Sequence, residues 1–94
     1  MSKNWFQVKQ IYFARHASKP WIKIGRSDNP MLRVNFLGAL LIFHESEGGF
    51  MGRNGELEIH RRFKRYHIRK EWYRDCPEIR AYIAYRQAKQ AGLL

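Results

Sequence analysis

The chain has little cysteine, little negative charge and no long apolar segment. Its single cysteine, Cys76, excludes an internal disulfide bond and a zinc site built mainly from cysteines. No apolar run approaches the length of a membrane span, and the polar start MSKNWFQVKQ lacks the apolar core of a signal peptide. We therefore expect a soluble intracellular protein that does not bind membranes.

The scarcity of acidic residues leaves a strongly basic chain. Eight Asp and Glu oppose 18 Lys and Arg, so the formal net charge is +10. The hydrophobic share of 45% argues against a disordered chain. A folded domain with this charge attracts polyanions, and nucleic acid is the most common of them. Because 94 residues can form one modest core, we expect a single domain over residues 1–94.

The order of apolar and turn-forming residues predicts an α+β fold. Two strand-like segments separated only by ASKP predict an antiparallel hairpin. A short helix should follow, with Asn29 or Asp28 as its cap, Pro30 in its first turn and Gly38 at its end. The predicted elements are strands at 8–16, 21–27 and 39–44, helices at 30–38, 56–67 and from 77 toward 91, and a short extended piece at 69–74. We expect a small three-stranded antiparallel sheet flanked by helices, in the order β-β-α-β-α-(β)-α, with a Gly-rich loop at 45–55.

One carboxylate lies on the apolar side of a predicted helix. At about 100° per residue, one arc of the helix at 56–67 contains Glu56, Ile59, His60, Phe63, Tyr66 and His67. A glutamate that faces a core costs free energy unless it is paired, lies near solvent or binds a cation. Glu56 is therefore either a capping glutamate in the first helical turn or a functional carboxylate. His60 is either a packed core histidine or a participant in a site, and the spacing of the histidines predicts no zinc site.

Several cations could meet a phosphate group. Arg26 follows Gly25, where we expect a tight turn that lets the backbone approach a phosphate. Arg33 lies in the predicted helix at 30–38, whose first amides could bind the same phosphate. Arg61 and Arg62 occupy solvated helix positions that could line DNA.

Five short segments in order resemble the GIY-YIG nuclease superfamily. They are QIYF, IKIG, GRSDNPMLR, GELEIHRRF and KEWYR, and the resemblance extends over residues 10–83. The pattern is most similar to the compact phage-type branch, which has VYF-like and VKIG-like motifs, an E-x-x-x-H-x-x-F helix and a GEWF-like strand. Gln10 replaces the glycine of the first motif and Lys23 replaces the tyrosine of the second, and both changes are of kinds that this branch tolerates.

The resemblance implies a role for each matching residue. Tyr12 would lie at the scissile phosphate, Arg33 would stabilise the phosphoryl charge, and Glu56 would hold a single divalent cation. Mg²⁺ is the expected cofactor, with Mn²⁺ as the alternative, because Mg²⁺ suits one carboxylate plus waters and phosphate oxygens. Lys23 would bind phosphate or lower the pKa of a nearby Tyr12. His60 would act in proton transfer or pack against the helix.

The implied function is a metal-dependent endonuclease that hydrolyses DNA phosphodiester bonds, with RNA as the alternative substrate. One active site cuts one strand, so cutting both strands together would need a homodimer. The implied location is the cytoplasm of a prokaryotic or phage-infected cell. Two interpretations from other classes stay open. One is a nucleic-acid-binding module on the same fold without catalysis, and the other is a regulatory protein whose basic face binds an acidic protein.

Overall fold

The computed structural model describes residues 9–46 and 55–94, so most of the predicted Gly-rich loop at 45–55 lies outside the described residues. The strands are β1 (Gln10–Arg15), β2 (Trp21–Ser27), β3 (Leu40–Ser46), β4 (His67–Arg69) and β5 (Trp72–Arg74). The helices are α1 (Pro30–Leu37), α2 (Gly55–Arg62) and α3 (Pro77–Gln90), and a 3-10 helix at Lys64–Tyr66 follows α2. These elements confirm the α+β class.

The strands form one antiparallel sheet in the order β3-β1-β2-β5-β4. The predicted hairpin of β1 and β2 is confirmed, with Tyr12 opposite Gly25 and Ala14 opposite Lys23. The prediction of three strands is wrong because β4 and β5 extend the sheet beyond β2. Each of these two strands has only three residues, which is too short to show an alternating pattern.

Helices cover both faces of the sheet. Ile11 and Phe13 of β1 point to one face, where residues of α2 and α3 such as Ile59 and Ile79 complete the larger core. Alternate residues of a strand point to opposite faces, so Tyr12 faces the other side, where it packs in a smaller cluster that includes Val34 of α1. Both faces of β1 are therefore buried, which explains its nearly continuous apolar sequence. Within residues 9–46 and 55–94, the helices lack the combination of length and apolar character needed to cross a bilayer.

The caps of α1 are those that its sequence predicts. The Asn29 side chain accepts a hydrogen bond from the Leu32 amide at 3.2 Å, and Pro30 occupies the first turn, where it gives up no helical hydrogen bond. Gly38 ends the helix with a φ of 70°, a left-handed conformation that glycine adopts without steric cost. These caps set where α1 begins and ends.

Helix α2 ends earlier than predicted, at Arg62 rather than at about His67. His67 begins β4 opposite Tyr73, so it does not share the helical arc of Glu56 and His60. Its Nε2 donates to the Lys70 carbonyl oxygen at 2.6 Å, within the turn that joins β4 to β5. Strand pairing therefore replaces helix in this segment, and His67 stabilises the turn.

A buried ion pair joins α3 to the edge strand β3. The Arg86 guanidinium donates to both carboxylate oxygens of Glu45 at 2.9 to 3.1 Å. The two side chains are only 10% and 8% exposed. Because a bidentate pair has a strict geometry, it fixes how α3 lies on the sheet.

Candidate active site

Side chains from β1, α1 and α2 converge at one place, although they are distant in the sequence. Tyr12 of β1 is buried and accepts a hydrogen bond from the Arg33 guanidinium of α1. Tyr12 also lies close enough to Glu56 of α2 for that carboxylate to affect the Tyr12 pKa. The structure therefore joins Tyr12 to Arg33 and places Glu56 within electrostatic reach of Tyr12.

The Tyr12 ring lies directly over Gly25. A Cβ atom built on Gly25 would be 2.4 Å from Tyr12 Cζ and 2.5 Å from its hydroxyl oxygen, which is far inside any real contact. Gly25 lies within β2, opposite Tyr12, so the expected tight turn for phosphate at this position is wrong. The physical reason for the glycine is different: it leaves room for an aromatic ring against the strand.

Burial and nearby carboxylates raise the pKa of Tyr12. Burial is the larger cause, Glu71 and Glu56 add to it, and the hydrogen bond from Arg33 opposes it. Lys23 is not among the causes of this shift, and its Nζ pairs with Glu71 Oε1 at 3.0 Å. Tyr12 is therefore a neutral phenol near neutral pH and can donate a hydrogen bond.

Lys23 is held in place on two sides. Its side chain is only 10% exposed, and the ammonium lies 5.6 Å from the centre of the Trp72 ring in addition to its pair with Glu71. Because Lys23 and Trp72 are opposite each other on β2 and β5, sheet pairing sets this contact.

Glu71 is the site residue that sequence reasoning missed. It lies in the turn between β4 and β5, after Lys70, which has a φ of 49°. The Glu71 carbonyl oxygen accepts from the Ile24 amide at 3.0 Å, which holds this turn against β2 beside Lys23. The only sequence signal was an acidic residue inside the KEWYR segment of a very basic chain.

The unusual position of Glu56 on α2 is explained by polar partners. His60, one helical turn later, lies with its Nε2 3.2 Å from Glu56 Oε2. This hydrogen bond is the main cause that lowers the pKa of Glu56, and burial opposes it. A side-chain hydrogen bond with Glu71 and the positive charge of Arg26 lower the pKa further. Glu56 is therefore a charged carboxylate, 19% exposed, at the edge of the core.

His60 is oriented from its other side by Tyr73. The Tyr73 hydroxyl hydrogen-bonds His60 Nδ1, and the centres of the two rings lie 5.4 Å apart. Tyr73 is almost fully buried in the larger core. The imidazole is therefore fixed, with Nε2 pointing toward the carboxylates.

Three side chains could hold a metal ion. Glu56, His60 and Glu71 each offer one ligand atom, and these atoms all lie within 4.8 Å of one another. Two carboxylates and an imidazole are a donor set that suits divalent metals of the first transition row. The predicted metal ligand, Glu56, thus belongs to a larger group, and the donor chemistry fits a divalent cation.

The other predicted phosphate contacts differ in their distance from this group. Arg26, exposed on β2, is near enough for its charge to lower the Glu56 pKa. Arg61 points away and pairs with Glu58 at 3.3 Å. The Arg62 guanidinium lies 5.1 Å from the Tyr82 ring centre on α3. Arg61 and Arg62 are therefore surface cations of α2 rather than members of the cluster.

Comparison of the chain with models of protein families, with curated proteins and with solved structures returned no match. The resemblance to the GIY-YIG superfamily therefore rests on the sequence segments alone and stays a prediction.

Proposed function

We propose that the protein is a metal-dependent endonuclease that hydrolyses phosphodiester bonds of DNA. The observation that supports this most is that Tyr12 is hydrogen-bonded to Arg33 and lies within electrostatic reach of Glu56, which is grouped with a second carboxylate and an imidazole. A phosphodiester is a polyanion, and the chain carries a net charge of +10 to attract it.

In the proposed reaction, water attacks phosphorus and the bond from phosphorus to the 3′ oxygen breaks. The water oxygen stays on the phosphate, and the departing 3′ oxygen gains a hydrogen. Glu56 would hold the divalent cation, Mg²⁺ or Mn²⁺, which when bound offsets negative charge on the phosphate and the leaving oxygen.

The chain's own residues have separate tasks in this proposal. Arg33 is exposed next to Tyr12, so its guanidinium can also reach a phosphate oxygen and stabilise the extra charge of the transition state. Arg26 adds positive charge close enough to Glu56 to lower the pKa of that carboxyl. The neutral Tyr12 hydroxyl orients the attacking water or a phosphate oxygen.

A nicking assay on supercoiled plasmid tests the proposal. We expect conversion to open circles with Mg²⁺ or Mn²⁺ and none with EDTA. Glu56→Gln should slow nicking by about 100-fold or more, and Tyr12→Phe by about 10- to 100-fold, because each removes a group at the reacting phosphate. Glu58→Gln is the matched control, since Glu58 lies on the same helix but is exposed and pairs with Arg61.

The assay also separates catalysis from simple binding. If the wild-type protein shifts DNA in a gel but does not nick it with either metal, the protein is a nucleic-acid-binding module without catalysis. If it binds no DNA in moderate salt, the basic face has a different partner, such as an acidic protein.

A further inference from the structure

A site that holds Mg²⁺ through one carboxylate needs only Glu56. The structure places two further possible ligands beside it, His60 and Glu71. Glu56 and His60 come from adjacent turns of α2, and Glu71 comes from the turn between β4 and β5. Their ligand atoms lie within 4.8 Å of one another. Mg²⁺ keeps most of its waters and seldom uses a dedicated set of protein ligands, so the additional carboxylate and the imidazole need another explanation.

The contact between Tyr73 and His60 is an independent sign of a ligand histidine. A tyrosine hydroxyl can donate or accept, so Tyr73 satisfies Nδ1 in either tautomer of His60. In this structure Nε2 donates to Glu56; with the proton on Nδ1 instead, the lone pair of Nε2 faces Glu56 and Glu71 and is available to a cation. Histidines that bind metals usually have their second nitrogen held by such a partner.

Lys23 supplies a charge that holds Glu71 next to Glu56 when no cation is bound. Its ammonium lies 3.0 Å from Glu71 Oε1, and Lys23 is opposite Trp72, the residue that follows Glu71, on β5. The Glu71 side chain is 44% exposed, so it can move toward an added ion. Two ligands of one ion lie at most about 4.2 Å apart, twice a bond of about 2.1 Å, so ligand atoms that lie within 4.8 Å of one another need to move inward by about an ångström, which the Glu71 side chain can do.

We propose that Glu56, His60 and Glu71 are a three-ligand site for a transition-metal dication, and that the site binds Mn²⁺ more tightly than Mg²⁺. Imidazole is a good ligand for transition metals, whereas Mg²⁺ prefers oxygen. The two carboxylates match the charge of the ion. This proposal names the ion that the proposed nuclease would use. The purpose of the site rests on the proposed function, but metal binding itself is measured without DNA.

The test is metal binding to the full chain after removal of metals with EDTA and dialysis. Mn²⁺ is titrated while the electron paramagnetic resonance signal of free Mn²⁺ is followed, and Mg²⁺ is then added as competitor. We expect one Mn²⁺ per chain and an affinity at least about tenfold above that for Mg²⁺. Electron spin echo modulation of the bound Mn²⁺ should show coupling to a nitrogen of His60, which needs no variant.

Variants then assign each ligand. His60→Gln and Glu71→Gln should each weaken Mn²⁺ binding by about 10- to 100-fold, and His60→Gln should also remove the preference over Mg²⁺. Tyr73→Phe should weaken Mn²⁺ binding while nitrogen coupling persists, because it frees His60 without removing it. Glu58→Gln should bind Mn²⁺ as the wild-type protein does. Circular dichroism confirms that each variant is folded.

Two results would overturn the three-ligand site. One is bound Mn²⁺ without nitrogen coupling in the wild-type protein, and the other is unchanged Mn²⁺ affinity in folded Glu71→Gln. Either could occur while metal-dependent nicking persists, in which case the nuclease proposal stands. Conversely, tight Mn²⁺ binding with nitrogen coupling but no nicking would support the site and contradict the nuclease function.

Discussion

Replacing Gly25 by alanine should displace the Tyr12 ring. The added Cβ would lie 2.4 Å from Tyr12 Cζ, whereas carbon atoms prefer about 3.5 to 4.0 Å, so the ring must move by more than about 1 Å. Tyr12 is only 1% exposed, and the ring has little free space around it. Forcing a methyl group into a packed core costs about 1 to 3 kcal/mol.

Two measurements follow from this displacement. Each lost kcal/mol should lower the melting temperature of a domain of this size by about 4 to 8 °C. If the proposed function is correct, a shift of about 1 Å at the reacting phosphate should also slow nicking by about 100-fold. Gly38→Ala is the control, because Gly38 has a φ of 70° and, among the described residues, nothing lies within 4 Å of its added Cβ. It should cost about 1 to 2 kcal/mol of strain and leave nicking unchanged.

A double substitution decides whether the contact itself is the cause. In Gly25→Ala with Tyr12→Leu, the smaller side chain leaves room for the methyl group, so the double variant should be more stable than the sum of the two single effects by about 0.5 to 3 kcal/mol. Strictly additive losses in the free energy of unfolding would show that the ring and the glycine do not compete for space, and the reasoning would fail.

Three further predictions concern stability. Arg86→Met should destabilise the fold by about 3 to 5 kcal/mol in urea unfolding, because it leaves the Glu45 carboxylate buried without its partner, and adding Glu45→Leu should recover most of the loss. A bidentate hydrogen bond from Arg80 lowers the pKa of Asp75 from its ordinary value of 3.8, so this pair stabilises the fold above that pH and loses its effect as pH falls through the lowered pKa. Arg80→Gln should therefore lower stability by up to about 1 kcal/mol at pH 6, with the difference from the wild-type protein shrinking as pH falls below 3.8, and a difference that stays constant with pH would contradict this cause. Asn29→Ala should cost about 1 kcal/mol by thermal unfolding, since it removes the cap of α1, and Asn29→Ser should restore it.

Sequence patterns predicted the elements with strong local signals. Strand β1 is rich in aliphatic and aromatic residues, β2 has alternating apolar residues, and α1 has Asn29, Pro30 and Gly38 at the positions that caps require. Glu56 was recognised because a carboxylate on an apolar arc is unusual, whatever its role. These features depend on residues that are close together in the chain.

The parts that sequence could not predict depend on contacts between distant segments. Glu71 joins the site only because β5 pairs with β2, and three-residue strands carry no period from which that pairing follows. Gly25 suggested a turn because glycine is common in turns, but the neighbour that requires a glycine is Tyr12 on another strand. Lys23 was expected to bind phosphate or to act on Tyr12, and its pair with Glu71 could not be assigned before Glu71 was placed.

The assembly of the site from separate segments has a consequence for the order of folding. A chain that has formed only the β1–β2 hairpin already carries Tyr12, Lys23 and Arg26, but neither carboxylate. The carboxylates arrive when α2 docks and β5 pairs with β2, which are contacts between segments far apart in the chain and therefore slow to form. A folding intermediate of this kind would hold a polyanion through its charge while lacking every proposed metal ligand. Catalytic ability would then appear only in the last step of folding, and a dication that bridges α2 to the β4–β5 turn would stabilise the contacts that form last.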